Sequence, residues 1–263
     1  MELNKEILEI KKKELNKACV VLNITRNKLF VSKTNAVIEK NLYVFSITDF
    51  NGKREVIDYV ITKEEDSTFW INRLKEIKAR GLDKVLYGTI PNVTSLISAI
   101  RVAFPKIEIF PSTIDMTNKI RKFISSGWDA VIYKEIRKIY TYETKEEYKE
   151  AYKRIMDIYK DNKIMLLFVQ DDIRKIEKYY KYSANMRKII FNYYPTRWYD
   201  FAIREKIKTS KNIVDENKFI NECSDIFNYL TNGYCRKKQE FVELIEELYE
   251  IHGEEILEYF REM

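Results

Sequence analysis

The chain has 263 residues, a formal net charge of +6 and 33% charged residues, which is typical of a folded, mildly basic protein and argues against a disordered one. A single histidine, His252, argues against a zinc site, and three cysteines without a close pair argue against a disulfide framework. No stretch is apolar enough to cross a membrane and no signal peptide is recognisable, so we expect a cytoplasmic protein without a membrane partner.

The first half of the chain alternates between strand and helix patterns. The apolar periodicities predict, in chain order, a helix at 3–16, strands at 18–24, 28–32, 41–48 and 54–61, a helix at 66–79, a strand at 84–90, a helix at 93–103, a strand at 107–110 and a helix at 113–125. The pair Asn51-Gly52 predicts a tight hairpin turn. Strands joined by helices imply parallel pairing beside an antiparallel meander, which makes an α/β fold with a mixed sheet.

The second half has helical patterns only. Three helices are predicted at Ala130–Tyr140, Lys145–Tyr159 and Ile164–Tyr180, and a further one at Thr196–Lys208 starts beside Pro195. Thr144 followed by Glu147 predicts a capping box at the start of the second of these helices. Two C-terminal helices follow, split at 231–233, and the last is acidic on one face. We therefore divide the chain into a first core part, a helical insertion, a core continuation and a C-terminal helical tail, at 1–128, 129–182, 183–212 and 213–263.

Several motifs in this order resemble the catalytic core of Mutator-type insertion-sequence transposases. The matching motifs are Gly52-Lys53-Arg54-Glu55-Val56 and Phe69-Trp70, and the resemblance continues through Arg80-Gly81-Leu82, Phe104-Pro105 and Ile139-Tyr140-Thr141 to Arg204 and Lys208. The resemblance implies an RNase H-like fold with a five-stranded mixed sheet, and a site in which three carboxylates hold two magnesium ions for DNA cleavage and strand transfer.

The positions equivalent to the three acids of the family are Asn23, Pro91 and Asp200, so only the third retains a carboxylate. A Cys-x-x-His pair of the family aligns with Ser112 and Asp115. Asparagine supplies a neutral carbonyl and proline no side-chain ligand, so neither contributes the charge that paired magnesium ions require. We interpret the chain as a transposase-derived protein that has lost catalysis, with no cofactor expected and magnesium only if it is active.

Two alternatives remain. The first is an active, magnesium-dependent strand transferase with a displaced acidic site, for which the candidate acids are Asp49, Asp58, Asp129 and the pair Asp171-Asp172. Their structural interpretations are a turn former for Asp49, the solvent side of an edge strand for Asp58, a helix N-cap for Asp129 and a solvated surface for the pair. The second alternative is an interaction protein, in which the acidic final helix makes a homo-oligomer.

DNA is the expected partner, because basic residues cluster with aromatic ones between 174 and 211. Lysine and arginine contact phosphates, and exposed aromatic rings stack on unpaired bases. The alternative is that the tyrosines pack against helices and the lysines are only solvated. The candidate DNA-binding residues are Arg174, Lys175, Lys178, Arg187, Lys188, Arg197, Trp198, Arg204, Lys206 and Lys208. Only about 17 residues precede the first strand, where the family has a helical DNA-binding region, so we do not expect this chain alone to recognise transposon ends.

Overall fold

The computed structural model describes residues 2–112, 114–115, 138–139, 142–168, 170, 173–191, 193–210, 213–232 and 238–261. The chain forms two compact units, one of residues 1–112 with 194–263 and one of residues 113–193. Most of the predicted helices 113–125 and Ala130–Tyr140 falls outside the described residues, as do Asp129, Asp171 and Asp172.

The first unit is built on a five-stranded mixed sheet. The strands are β1 (Ala18–Lys33), β2 (Ala36–Thr48), β3 (Arg54–Thr62), β4 (Lys84–Ile90) and β5 (Glu108–Pro111). Their order is β3-β2-β1-β4-β5, in which β1, β2 and β3 pair antiparallel and β4 runs parallel to both β1 and β5. The predicted mixed sheet is thereby confirmed, and its topology is consistent with an RNase H-like fold.

Strand β1 is one continuous element of 16 residues, so the prediction of two separate strands at 18–24 and 28–32 is wrong. The residues between them, Thr25, Arg26 and Asn27, remain paired with β2. Alternate residues of a strand face opposite sides of the sheet, so polar side chains in the middle do not interrupt the pairing. Strand β1 therefore presents a polar row in the middle of a buried sheet.

The turn between β2 and β3 has the predicted hairpin chemistry. Gly52 adopts a left-handed φ of 76°, and the Asp49 carboxylate accepts hydrogen bonds from the backbone N–H groups of Asn51 (2.9 Å) and Lys53 (2.8 Å). Strand β3 then carries a bulge, because Phe45 pairs with Asp58 and Ser46 with Val56, which leaves one extra residue on β3.

Helices account for most of the remaining described residues. In chain order they are α1 (Lys5–Lys12), α2 (Ser67–Ala79), α3 (Thr94–Ala103), α4 (Lys145–Tyr159), α5 (Lys163–Phe168), α6 (Ala184–Ile190), α7 (Tyr193–Thr209), α8 (Glu216–Glu222), α9 (Ser224–Asn232), α10 (Lys238–His252) and α11 (Glu255–Phe260). A 3-10 helix covers Arg174–Lys181, so the single helix predicted at Ile164–Tyr180 is wrong. None of the helices in these described segments is long and apolar enough to span a membrane.

The two faces of the sheet carry separate cores. On one face, Leu22 and Ile24 of β1 pack with α2 and α3 around Trp70, whose ring lies 4.7 Å from that of Tyr43. On the other face, Leu29 and Val31 of β1 belong to a core formed with α7, α8 and α9. Asp66 starts α2 as its N-cap and Thr144 starts α4 with a capping box, the latter as predicted.

Candidate functional site

Asn23 lies in the middle of the sheet, on β1. It pairs with Thr89 of β4 on one side and with Ser46 of β2 on the other, and its side chain is 3% exposed. Pro91 directly follows Ile90, the last residue of β4. The structure therefore brings Asn23 and Pro91, the positions that the resemblance implies for the first two acids, to the same end of the β1–β4 pairing.

Asp200 lies on α7, over the same face of the sheet. Its carboxylate is buried and accepts hydrogen bonds from Asn27 Nδ2 (3.0 Å) and from Arg204 Nε (2.9 Å), with Arg204 Nη2 at 2.6 Å from the second oxygen. Asn27 is four residues beyond Asn23, about 13 Å further along the strand at the usual rise. Asp200 therefore lies over the same face of the sheet as Asn23. Its carboxylate, however, accepts its hydrogen bond from Asn27, four residues further along β1.

A polar row along β1 completes this face, and sequence reasoning missed most of it. Asn23, Thr25 and Asn27 alternate along the strand and are all buried. Asn23 Nδ2 and Asn27 Oδ1 are buried without a hydrogen-bond partner among the described residues, and the Thr25 hydroxyl faces the buried hydroxyl of Tyr199 on α7. Burial raises the pKa of Tyr199 well above its usual value, which keeps the hydroxyl neutral. The sequence signal that could have predicted this row is the polar residue at every second position of β1.

The residues at these positions do not fit a two-magnesium site. Magnesium takes hard oxygen ligands, preferably carboxylates, and paired ions need several of them to balance their charge. Asn23 offers a neutral amide, Pro91 has no ligand atom in its side chain, and the charge of Asp200 is balanced by Arg204. Across the segments that the structure describes, no group of three or more His, Cys, Asp or Glu side chains is arranged to hold a metal.

The alternative acids have structural partners. Asp49 is a turn former, as predicted. The prediction that Asp58 points to the solvent side of β3 is wrong, since Asp58 is 2% exposed and forms an ion pair with Arg73 of α2. Burial raises the pKa of the Asp58 carboxyl, and the positive charge of Arg73 opposes that rise. Arg73 also donates to the Tyr59 carbonyl (2.9 Å), which ties α2 to β3.

In the second unit, part of the predicted DNA surface is exposed. Arg174 and Lys178 lie on the outside of the 3-10 helix, and Lys178 Nζ is 4.8 Å from the centre of the Tyr179 ring. Lys188 on α6 is half-buried. The side chain of Lys175 lies outside the described part of the chain. Among the predicted DNA-binding residues of this unit whose side chains the structure describes, the exposed ones are therefore Arg174 and Lys178 of the 3-10 helix.

Arg187 has a different environment from the one predicted. It is 2% exposed, donates to the carbonyl oxygens of Tyr182 (2.6 Å) and Tyr142, and lies 4.0 Å from the centre of the Tyr180 ring. A guanidinium with these contacts is not accessible to a phosphate, so Arg187 holds the helices of the second unit together. Tyr179 and Tyr182 are buried as well, which excludes them as base-stacking residues.

On α7, the predicted cations are engaged with carboxylates. Lys206 pairs with Glu222 (2.7 Å) and Lys208 with Glu205 (2.6 Å), while Arg204 holds Asp200. Trp198 is 37% exposed, and its ring centre lies 3.7 Å from that of Tyr229 on α9. The side chain of Arg197 lies outside the described part of the chain. Helix α7 therefore carries an exposed aromatic side chain, whereas its described cations are already in ion pairs with carboxylates.

The two positions aligned with the family's Cys-x-x-His pair follow β5. Ser112 is buried, and its backbone N–H donates to the carbonyl of Ile90 at 3.0 Å, which continues the pairing of β5 with β4. Asp115 is half-buried. Neither a thiol nor an imidazole is therefore present at these positions.

Comparison with known proteins agrees with this geometry. The family model of the Mutator family of transposases matches residues 1–212, which include the whole sheet and helix α7. No curated protein matches the chain significantly. Because the matched region covers most of the chain and contains each of the positions described above, the chain belongs to the Mutator family of transposases.

Proposed function

We propose that this chain is a transposase-derived protein that binds DNA without cleaving it. The observation that carries the proposal is the set of side chains at the family's acid positions. Asn23 and Pro91 are uncharged. The negative charge of the Asp200 carboxylate is balanced by its ion pair with Arg204, and the carboxylate also accepts a hydrogen bond from Asn27. The family provides the expectation of DNA as the partner.

Chemistry supports the loss of cleavage. Metal-assisted phosphoryl transfer depends on two cations that stabilise the attacking and leaving oxygens, and carboxylates hold those cations in place. A lone acid already bonded by a guanidinium gives up that bond if it turns to a metal ion. Asn23 and Thr89 are 3% and 1% exposed, so a DNA phosphate has no access to this part of the sheet in the present conformation.

We propose that exposed side chains of each unit contact DNA. In the second unit these are the cations Arg174 and Lys178 of the 3-10 helix, and in the first unit they are the aromatic pair Trp198 and Tyr229. Cations contribute affinity that is independent of sequence, and each phosphate contact makes binding weaker as salt rises. We therefore expect moderate affinity with little sequence preference.

The test is a binding titration combined with a cleavage assay. Fluorescently labelled duplex DNA is titrated with the protein at several salt concentrations, and supercoiled plasmid is incubated with the same protein and Mg²⁺ or Mn²⁺. We expect binding that weakens with salt, and no nicking above the level of a protein-free control. Absence of binding at low salt would overturn the DNA-binding half of the proposal, and metal-dependent nicking would overturn the other half.

A further inference from the structure

Helix α7 carries large aromatic rings on its solvent side. Its opposite side carries Tyr199 and Ile203, which are buried in the core shared with β1. Residues three and four apart lie on one side of a helix, so Trp198, Phe201 and Glu205 share the solvent side. Trp198 is 37% exposed and Phe201 is 62% exposed. The solvent side of an amphipathic helix is normally polar, so two large rings there are unusual.

Helix α9 adds a third exposed ring to the same region. Phe227 faces the sheet, where its ring stacks on that of Tyr59 at 5.8 Å between ring centres. Tyr229, two residues further, lies on the other side of α9, and its ring centre is 3.7 Å from that of Trp198. Trp198, Tyr229 and Phe201, one turn along α7, all belong to the first unit. We call these three residues the aromatic surface.

The described cations of α7 offer little positive charge to a phosphate at the aromatic surface. Arg204, Lys206 and Lys208 each form an ion pair with a carboxylate, at distances of 2.6, 2.7 and 2.6 Å. Lys208 and its partner Glu205 lie on the same side of α7 as Phe201, where their opposite charges cancel. Contact between the aromatic surface and DNA therefore depends on the bases rather than on the phosphates.

A base inside continuous duplex DNA has both faces covered by its neighbours in the stack, so a protein ring cannot stack on it unless the base is first unstacked. We propose that the aromatic surface binds unpaired bases, and that the protein therefore prefers single-stranded DNA to duplex DNA. Every base has an aromatic face, so this preference is largely independent of sequence. The inference rests on the proposed DNA binding and names the form of DNA that is bound.

The first test measures the affinity of the full-length wild-type protein for one labelled oligonucleotide at low salt, as a single strand and as a duplex with its complement. Duplex DNA has the higher density of phosphate charge, so phosphate contacts alone favour the duplex. We expect the single strand to bind at least about fivefold more tightly, the lower end of what stacking of one base contributes. If neither form binds, the proposed function fails together with this inference. If the protein binds DNA with a smaller preference or none, only this inference is overturned.

The second test compares Phe201→Ala with the control Phe30→Ala, which removes a ring of similar exposure, 52%, from β1 of the same unit. We expect Phe201→Ala to weaken binding of the single strand by at least about fivefold and to leave duplex affinity unchanged, because only the single strand offers bases for stacking. Phe30→Ala should change neither affinity. Equal single-strand affinities of the two variants would contradict the proposal. If Phe201→Ala lowers the molecular mass of the protein in solution and leaves single-strand affinity unchanged, the aromatic surface is a protein interface, which also overturns the proposal.

Discussion

Asp58 and Arg73 form a buried ion pair that joins the edge strand β3 to helix α2. Removing one partner of such a pair leaves an uncompensated buried charge. We predict that Arg73→Ala lowers the free energy of unfolding at pH 7 by about 3–5 kcal/mol. Urea unfolding followed by circular dichroism measures this loss.

The loss of stability in the Arg73→Ala variant should depend on pH. The folded-state pKa of Asp58 is raised by burial, and without Arg73 it rises further, so the folded variant takes up a proton at a higher pH than the unfolded chain does. The destabilisation is therefore largest above the folded-state pKa of Asp58 in the variant and shrinks as the pH falls to the folded-state pKa of the wild type, because the unfolded state is the same in both. Arg73→Ala in an Asp58→Asn background should cost less than in the wild type. A loss of the same size at every pH down to the onset of acid unfolding would contradict this account.

Variants of Arg187 and Lys178 should distinguish a cation that stabilises the fold from one that binds DNA. Arg187→Ala removes the guanidinium that donates to the carbonyl oxygens of Tyr182, Tyr142 and Glu143. We therefore predict a loss of stability of about 2–5 kcal/mol, which Arg187→Lys does not restore because an ammonium lacks the planar fork. Lys178→Ala should leave stability unchanged and weaken DNA binding. Thermal unfolding and a DNA titration on each variant make the comparison. A stable Arg187→Ala protein with reduced DNA affinity would reverse the assignment.

At the scale of elements, Asp200 is the contact that fixes helix α7 on strand β1. Its carboxylate joins Asn27 of the strand to Arg204 one turn along the helix. We predict that Asp200→Asn destabilises the protein by about 1.5–3 kcal/mol, the usual range for hydrogen bonds to a charged group. Acids that are kept for metal binding reduce stability, and replacing them is usually neutral or stabilising. An Asp200→Asn protein that is more stable than the wild type would therefore indicate a metal ligand.

The elements with strong local signals were predictable, and those that depend on tertiary contacts were not. The turn at Gly52 and the capping box at Thr144 follow from local chemistry and were predicted with the right residues. The continuity of β1 depends on its pairing with β2, which the local sequence does not encode. For the site, the resemblance predicts Asn23, Pro91 and Asp200 as the positions of the family's acids, but the hydrogen bond from Asn27 to Asp200 joins residues 173 positions apart and has no local signal.

For the whole molecule, the charge distribution predicts how DNA binding responds to salt. The net charge of +6 is small, and several cations of α7 are already paired with carboxylates. We expect few phosphate contacts, about three to five, and hence a slope of log K against log salt of about −3 to −4.5 on duplex DNA. Titrations between low and physiological salt give this slope. A slope near zero would exclude phosphate contacts as the source of affinity.

The organisation of the molecule links its family to its proposed loss of catalysis. The chain has a five-stranded mixed sheet with helix α7 bonded to it at Asn27, while the donor atoms at Asn23, Pro91 and Asp200 cannot balance the charge of two magnesium ions. Manganese scatters anomalously and takes the same ligands as magnesium, so a crystal soaked in Mn²⁺ reports directly on this site. Our account predicts no anomalous peak within coordination distance of Asn23, Thr89 or Asp200. A manganese ion held there by Asp200 and a second carboxylate, with Arg204 displaced, would contradict it.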